Sequence, residues 1–106
     1  MDFNFIKKNN VTYVKLAGQF TFVDHQKFKH ILDLIEEQQI SRLELDFSEV
    51  TFIDSAGLGM MLLLRDNCQN KNIEICVSAA TGQVEKIFII SKFDQLFSMQ
   101  KTSSGK

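Results

Sequence analysis

The chain contains no proline and no tryptophan, and only one tyrosine and two cysteines, in 106 residues. Without proline, chain reversals fall to glycine, asparagine and polar residues. Cys68 and Cys76 form no Cys-x-x-Cys or Cys/His spacing, which speaks against zinc, and they read as reduced, semi-buried small hydrophobes without a disulfide. There is no excess of charge, the net value being −1 with the lysines spread along the chain. A nucleic-acid partner needs a clustered basic patch, so that class is set aside. No apolar run approaches the ~20 residues that span a bilayer. The start, Met1-Asp2-Phe3-Asn4-Phe5, carries an acid and lacks a basic, apolar leader. The expectation is a cytoplasmic protein without membrane insertion.

What is present is ordinary for a globular domain, 44% hydrophobic and 24% charged residues, with ten phenylalanines. The length suits one domain over residues 1–100 and a polar, flexible tail over 101–106, large enough to bury a core without disulfides or metals.

In chain order, Phe3 to Ile6 is a short edge strand, and Asn9-Asn10 turn it into Val11 to Ala17, which closes at Gly18. Gln19 to Val23 is a loop or short extension. Asp24 reads as the N-cap of a helix to about Gln38, with Phe28, Ile31, Leu32 and Ile35 on one stripe and His25 and His30 on its solvated faces. Leu43 to Phe47 is a central strand, followed by a Ser48-Glu49-Val50 turn. A helix follows Ser55 to about Asn70. Ile73 to Val77 is a further strand, Thr81 caps a short helix with Val84, Ile87 and Phe88 on one face, and Phe93 to Phe97 is a last helical turn or strand. The order β-β-α-β-α-β-α predicts an α/β fold: a small mixed sheet of about four to five strands with helices mainly on one face.

The segment from Thr51 to Gly59 organises this pattern. It joins a buried strand directly to a buried helix through Asp54-Ser55, with Gly57 and Gly59 in the first turn. Free N–H groups at such a helix start favour a capping serine and also an anion, so Ser55 is either an N-cap or a hydroxyl open to phosphorylation. The two glycines cost a helix about 1 kcal/mol each against alanine, which points to close approach by another backbone or a ligand, or to close packing against the sheet. No catalytic set accompanies the serine. The Gly-x-Ser-x-Gly elbow is missing because Ile53 stands at its first glycine, and no phosphate-binding Gly-x-x-x-x-Gly-Lys loop exists. The chain is not expected to be an enzyme or to carry a cofactor or metal.

Asp54-Ser55-Ala56-Gly57-Leu58-Gly59 after a strand ending in Phe52-Ile53 resembles the signature of STAS domains, which include anti-sigma factor antagonists and the cytosolic domains of sulphate transporters. The resemblance extends over nearly the whole chain. It implies a partner switch: a kinase-type anti-sigma factor binds the unmodified protein and phosphorylates the serine after the signature Asp, here Ser55. The phosphorylated form is released and a serine phosphatase restores it, with ATP held by the partner. Asp54, Ser55, Ala56 and Gly57 lie at the implied contact, and Leu58 and Met61 are either apolar contacts or core. Family members often carry an acid three residues beyond the glycine closing the second strand. That position is Thr21 here, so either Asp24 takes the acidic role or the partner reads this loop differently. Alternatives are a non-switching STAS subunit of a bacterial lipid ABC transporter, or a switch whose output is biofilm or diguanylate cyclase control.

Overall fold

In the computed structural model, which describes residues 1–37 and 40–100, five strands form one mixed sheet in the order β1-β2-β3-β4-β5. They are β1 (Asp2–Lys8), β2 (Val11–Phe20), β3 (Arg42–Ile53), β4 (Glu74–Ser78) and β5 (Ser98–Gln100). Helices α1 (His25–Glu37), α2 (Ser55–Asn70) and α3 (Gly82–Ile90) connect successive strands from β2 onward. The β1–β2 pair is an antiparallel hairpin closed by Asn9 at φ 57, and the other pairs are parallel. Parallel strands laid down in sequence order with right-handed crossovers bring every helix back to the same face. α1 accordingly packs on α2, and α3 on β3.

The core lies between that face and the helices. Val14, Leu45 and Val77 sit side by side in register across β2, β3 and β4, flanked by Leu43 opposite Ile75. Leu16 and Phe47 extend the same buried rows. Phe28, Ile31 and Ile35 of α1 cover them at the predicted helical spacing, together with Met60, Met61, Leu64 and Cys68 of α2. Phenylalanines bind the layers together: Phe20 stacks on Phe28 at 5.2 Å, and Phe47 meets Phe88 edge-on at 5.5 Å.

Three boundaries differ from the sequence expectation. Ser48-Glu49-Val50 is not a turn, because β3 runs on to Ile53. Its pairing with β2 slips twice, between Lys15 and Ala17 and between Gly18 and Gln19. Each slip inserts an extra β3 residue, so the alternation that marks a strand is lost after Phe47 although pairing continues. β2 likewise runs to Phe20. Phe93–Gln95 is a single 3-10 turn, so the helical-turn reading of this segment holds, and the strand, β5, begins only after Phe97. Gln38 and the tail at 101–106 lie outside the described residues.

Cys68 and Cys76 are free and more deeply buried than expected. Burial pushes the Cys68 thiol up to about 12 and raises Cys76 as well, partly offset by the Arg42 guanidinium. Both thiols are expected to stay unlabelled by a maleimide in native buffer and to react fully in urea, followed by mass spectrometry. Labelling of the native protein would contradict this account of their burial.

Candidate functional site

The junction between β3 and α2 is built from main-chain requirements. Ile53 sits at the end of β3 with Phe20 of β2 on one side, where the Asp54 N–H donates to the Phe20 carbonyl at 3.3 Å. On its other side β4 has already stopped, its last pair with β3 being Asp46 and Ser78. The Gln83 side chain takes the place of a strand there. Its Nε2 donates to the Ile53 carbonyl at 3.0 Å, and its Oε1 accepts from the Ile53 N–H at 3.1 Å. One amide thus satisfies both polar groups that a missing strand would have left open.

Asp54, not Ser55, is the N-cap of α2. Asp54 is extended, at φ −105 and ψ −178, as a cap must be, and its Oδ1 accepts from the Gly57 N–H at 2.8 Å. Its Oδ2 accepts from the Phe22 N–H at 3.2 Å, tying the segment after β2 to the helix start. Ser55 is the first helical residue and is exposed. Among the described residues no hydrogen bond joins its hydroxyl to His25 or His30.

The residues after Ser55 divide by helical face. Gly57 is buried, and a Cβ placed on it would lie 2.6 Å from the Phe20 carbonyl oxygen and 2.7 Å from Ile53 Cγ1. This glycine lets α2 begin tight against the sheet, which is the packing alternative of the sequence reading. Gly59 has open space around it. Leu58 is partly buried against the core. Met61 is 0% exposed, so it is core and presents no surface contact. Ala56 and Gly59 border a groove between α1 and α2, with Phe28, Leu32, Met60 and Leu63 on its apolar walls and His25 and Lys29 beside them.

The Thr21–Asp24 segment is the other half of the site. Asp24 is not the cap of α1. A 3-10 turn, Phe22–Asp24, precedes the helix with Thr21 at its cap, and the Asp24 Oδ2 reaches back to accept from the Thr21 N–H at 2.8 Å. The Asp24 Oδ1 pairs with the Met1 amine at 2.8 Å, and the residue is buried. Burial works to raise this carboxyl, but the amine, the Thr21 N–H and Lys27 together hold it below the ordinary aspartate value of 3.8. Its contribution to stability is therefore complete above that value and is lost as pH falls through the lower, folded one. Asp24→Asn is expected to flatten this acid limb in circular dichroism titrations. It should cost about 1–2 kcal/mol at neutral pH, since the freed terminal amine can turn to water.

In this arrangement the Asp24 carboxylate faces inward, while Phe22 and Val23 beside it are 73% and 83% exposed. The structure thus gathers Thr21, Asp54, Ser55 and Ala56 around one surface, with Asp24 and Gly57 beneath it. Two adjacent apolar residues in a loop, Phe22-Val23, were a usable sequence signal for this surface. Gln83 had none, because its role exists only once α3 is folded beside β3.

The STAS domain family model matches residues 2–105. The chain belongs to the STAS domain family. A STAS-domain containing protein of Pseudomonas aeruginosa (strain UCBPP-PA14) is 38% identical over 86 residues, which is 79% of this chain and 82% of that protein. Among solved structures, a candidate anti-sigma factor antagonist from Thermotoga maritima superposes with a TM-score of 0.87 at 17% identity, covering 94% of this chain and 86% of that one. The Bacillus cell fate determinant SpoIIAA in its phosphorylated form gives 0.74 at 15% identity, covering 98% and 93%. The unphosphorylated form of that anti-sigma factor antagonist gives 0.73 at 13%, covering 97% and 90%. A sulfate transporter family protein from Wolinella succinogenes gives 0.77 at 18%, covering 92% and 81%. These structural likenesses are of fold. For this STAS domain, no helix among the described residues is long and apolar enough to cross a membrane, and no cluster of three metal-ligating side chains occurs among them.

Proposed function

We propose that this STAS domain protein is an anti-sigma factor antagonist that switches partners through Ser55. With a bare hydroxyl it binds a kinase-type anti-sigma factor in the cytoplasm. Phosphorylated, it lets go, and a serine phosphatase returns it to the binding form.

The observation that carries this reading is the exposed Ser55 at the first position of α2, set beside the exposed Phe22 and Val23. Exposed apolar side chains thus lie on the segment tied to this helix start, where a phosphate would add roughly −1.5 to −2 charge. The α2 start accepts that charge, because its N–H groups and dipole point at it. The Gly57 N–H is already held by Asp54, leaving the earlier ones of the turn. In the transfer, the Ser55 oxygen bonds to the γ-phosphorus of ATP as the bond to the bridging oxygen breaks and ADP leaves. The hydroxyl proton goes to a base on the kinase, as serine chemistry requires a base. The phosphorylated and unphosphorylated SpoIIAA structures match this chain about equally, which supports a switch acting on a surface and not on the fold.

The test is phosphoryl transfer in solution. A kinase-type ATPase from the same genome, with ATP, is expected to phosphorylate the protein but not Ser55→Ala. Transfer at an unchanged rate to Ser55→Ala, or none to either by any such ATPase, would overturn the reading and favour a constitutive subunit.

A further inference from the structure

Among the described residues no strand pairs with the outer side of β1, the first strand in the sheet order. β1 carries Phe5 and Ile6 at 42% and 61% exposure, and Phe3 and Phe5 stack their rings 6.0 Å apart along it. The direction of its main-chain groups follows from β2. The Asn10 carbonyl accepts from Ser41 and Arg42 on the β3 side, so even-numbered β2 residues bond towards β3 and odd-numbered ones towards β1. Tyr13 and Lys15 are paired with Ile6 and Asn4. The N–H and C=O groups of Phe3, Phe5 and Lys7 therefore turn outward, away from the sheet.

We propose that a second copy of this chain occupies that edge, β1 pairing antiparallel with β1 about a two-fold axis at Phe5. In this register Phe5 faces Phe5, Phe3 faces Lys7, Asn4 faces Ile6 and Asp2 faces Lys8. All the outward groups of both strands are used, giving about six inter-strand hydrogen bonds. Charge complementarity selects the register: each terminal Asp2 meets the other copy's Lys8 directly across the new ladder. Sliding the pairing by two residues either places Asp2 against Ile6 or takes it past the end of the strand. Among the described residues the Asp2 carboxylate makes a 3.6 Å contact with Lys27 and remains 90% exposed, free to turn to the new partner. Lysines on an edge strand ordinarily repel another strand. Here the acid at the opposite end of the same strand turns that repulsion into selection for one antiparallel register, the self-complementary form that an isologous dimer needs.

The test is sedimentation velocity of the full chain without an N-terminal tag, from about 5 to about 500 µM, a range bracketing a weak dimer. The wild type is expected to dimerise with concentration. Asp2→Lys and Lys8→Asp are each expected to weaken the dimer by about tenfold or more, because each sets like charges across the pair. The double variant restores it. Phe5→Pro, which removes an outward N–H and leaves the bonds to β2 intact, abolishes it with an unchanged circular dichroism spectrum. A monomer throughout the range overturns the proposal and leaves the edge to a strand of another protein. A dimer indifferent to the charge reversals overturns it in favour of another surface.

Discussion

Gly57→Ala is expected to lower the stability of the domain by about 2–3 kcal/mol, while Gly59→Ala, two residues away in the same helix, raises it by about 0.5–1 kcal/mol. Helix propensity alone predicts the same gain at both positions. What separates them is the sheet. A methyl on Gly57 meets a main-chain oxygen of Phe20 at 2.6 Å, and Phe20 is locked into β2 and stacked on Phe28. The Ile53 side chain at 2.7 Å belongs to a residue pinned by Gln83. Neither neighbour has an easy way to yield, so α2 must lift from the strand ends. At Gly59 nothing lies within 4 Å, and the methyl adds only its helical preference. Urea denaturation of both variants checks the pair, read as opposite shifts of midpoint at unchanged slope. Equal shifts would remove the close approach of α2 and β2 from the account.

Ser55→Asp is expected to leave the fold and its stability within about 0.5 kcal/mol of wild type while weakening the kinase partner's binding by about a hundredfold or more. Two small terms oppose each other in the free protein. A carboxylate in the first turn of α2 gains from the helix dipole, and it also sits next to the Asp54 carboxylate, which already holds the Gly57 and Phe22 N–H groups. In the proposed complex no such balance is expected, because the charge would be desolvated among apolar contacts at Phe22 and Val23 without a fitted cation. Ser55→Ala retains the shape and should bind without release. Calorimetric titration with the partner reads the binding, and thermal unfolding reads the stability. A Ser55→Asp protein that unfolds would make the serine a structural residue. Equal binding by both variants would end the gating idea.

The legible parts of the chain were those where one local rule decides. Phe28, Ile31 and Ile35 fall on one helical stripe and the hairpin turns at Asn9-Asn10, and both are realised as read. The signature from Asp54 to Gly59 marked the strand-to-helix junction for the same reason, since an apolar strand, a capping pair and two glycines have few other uses. Finer assignments failed where two residues competed for one role. Asp54 and Ser55 are both good caps, and the carboxylate won because it bridges Gly57 and Phe22 together. Asp24 suited an N-cap by type, but its position three residues after Thr21 makes it the reaching-back partner of that cap. Met61 fits either a surface or a core position by sequence, and the packing of α2 against the sheet decides for the core. The continuation of β3 past Phe47 was hidden because bulges erase the period-two pattern without ending the pairing.

The proposed switch rests on Ser55. The most direct measurement is intact and peptide mass spectrometry of the protein isolated from its own cells across growth conditions. A fraction heavier by about 80 Da is expected, with the phosphate on Ser55. Phosphate confined to another residue, or none under any condition, would contradict it.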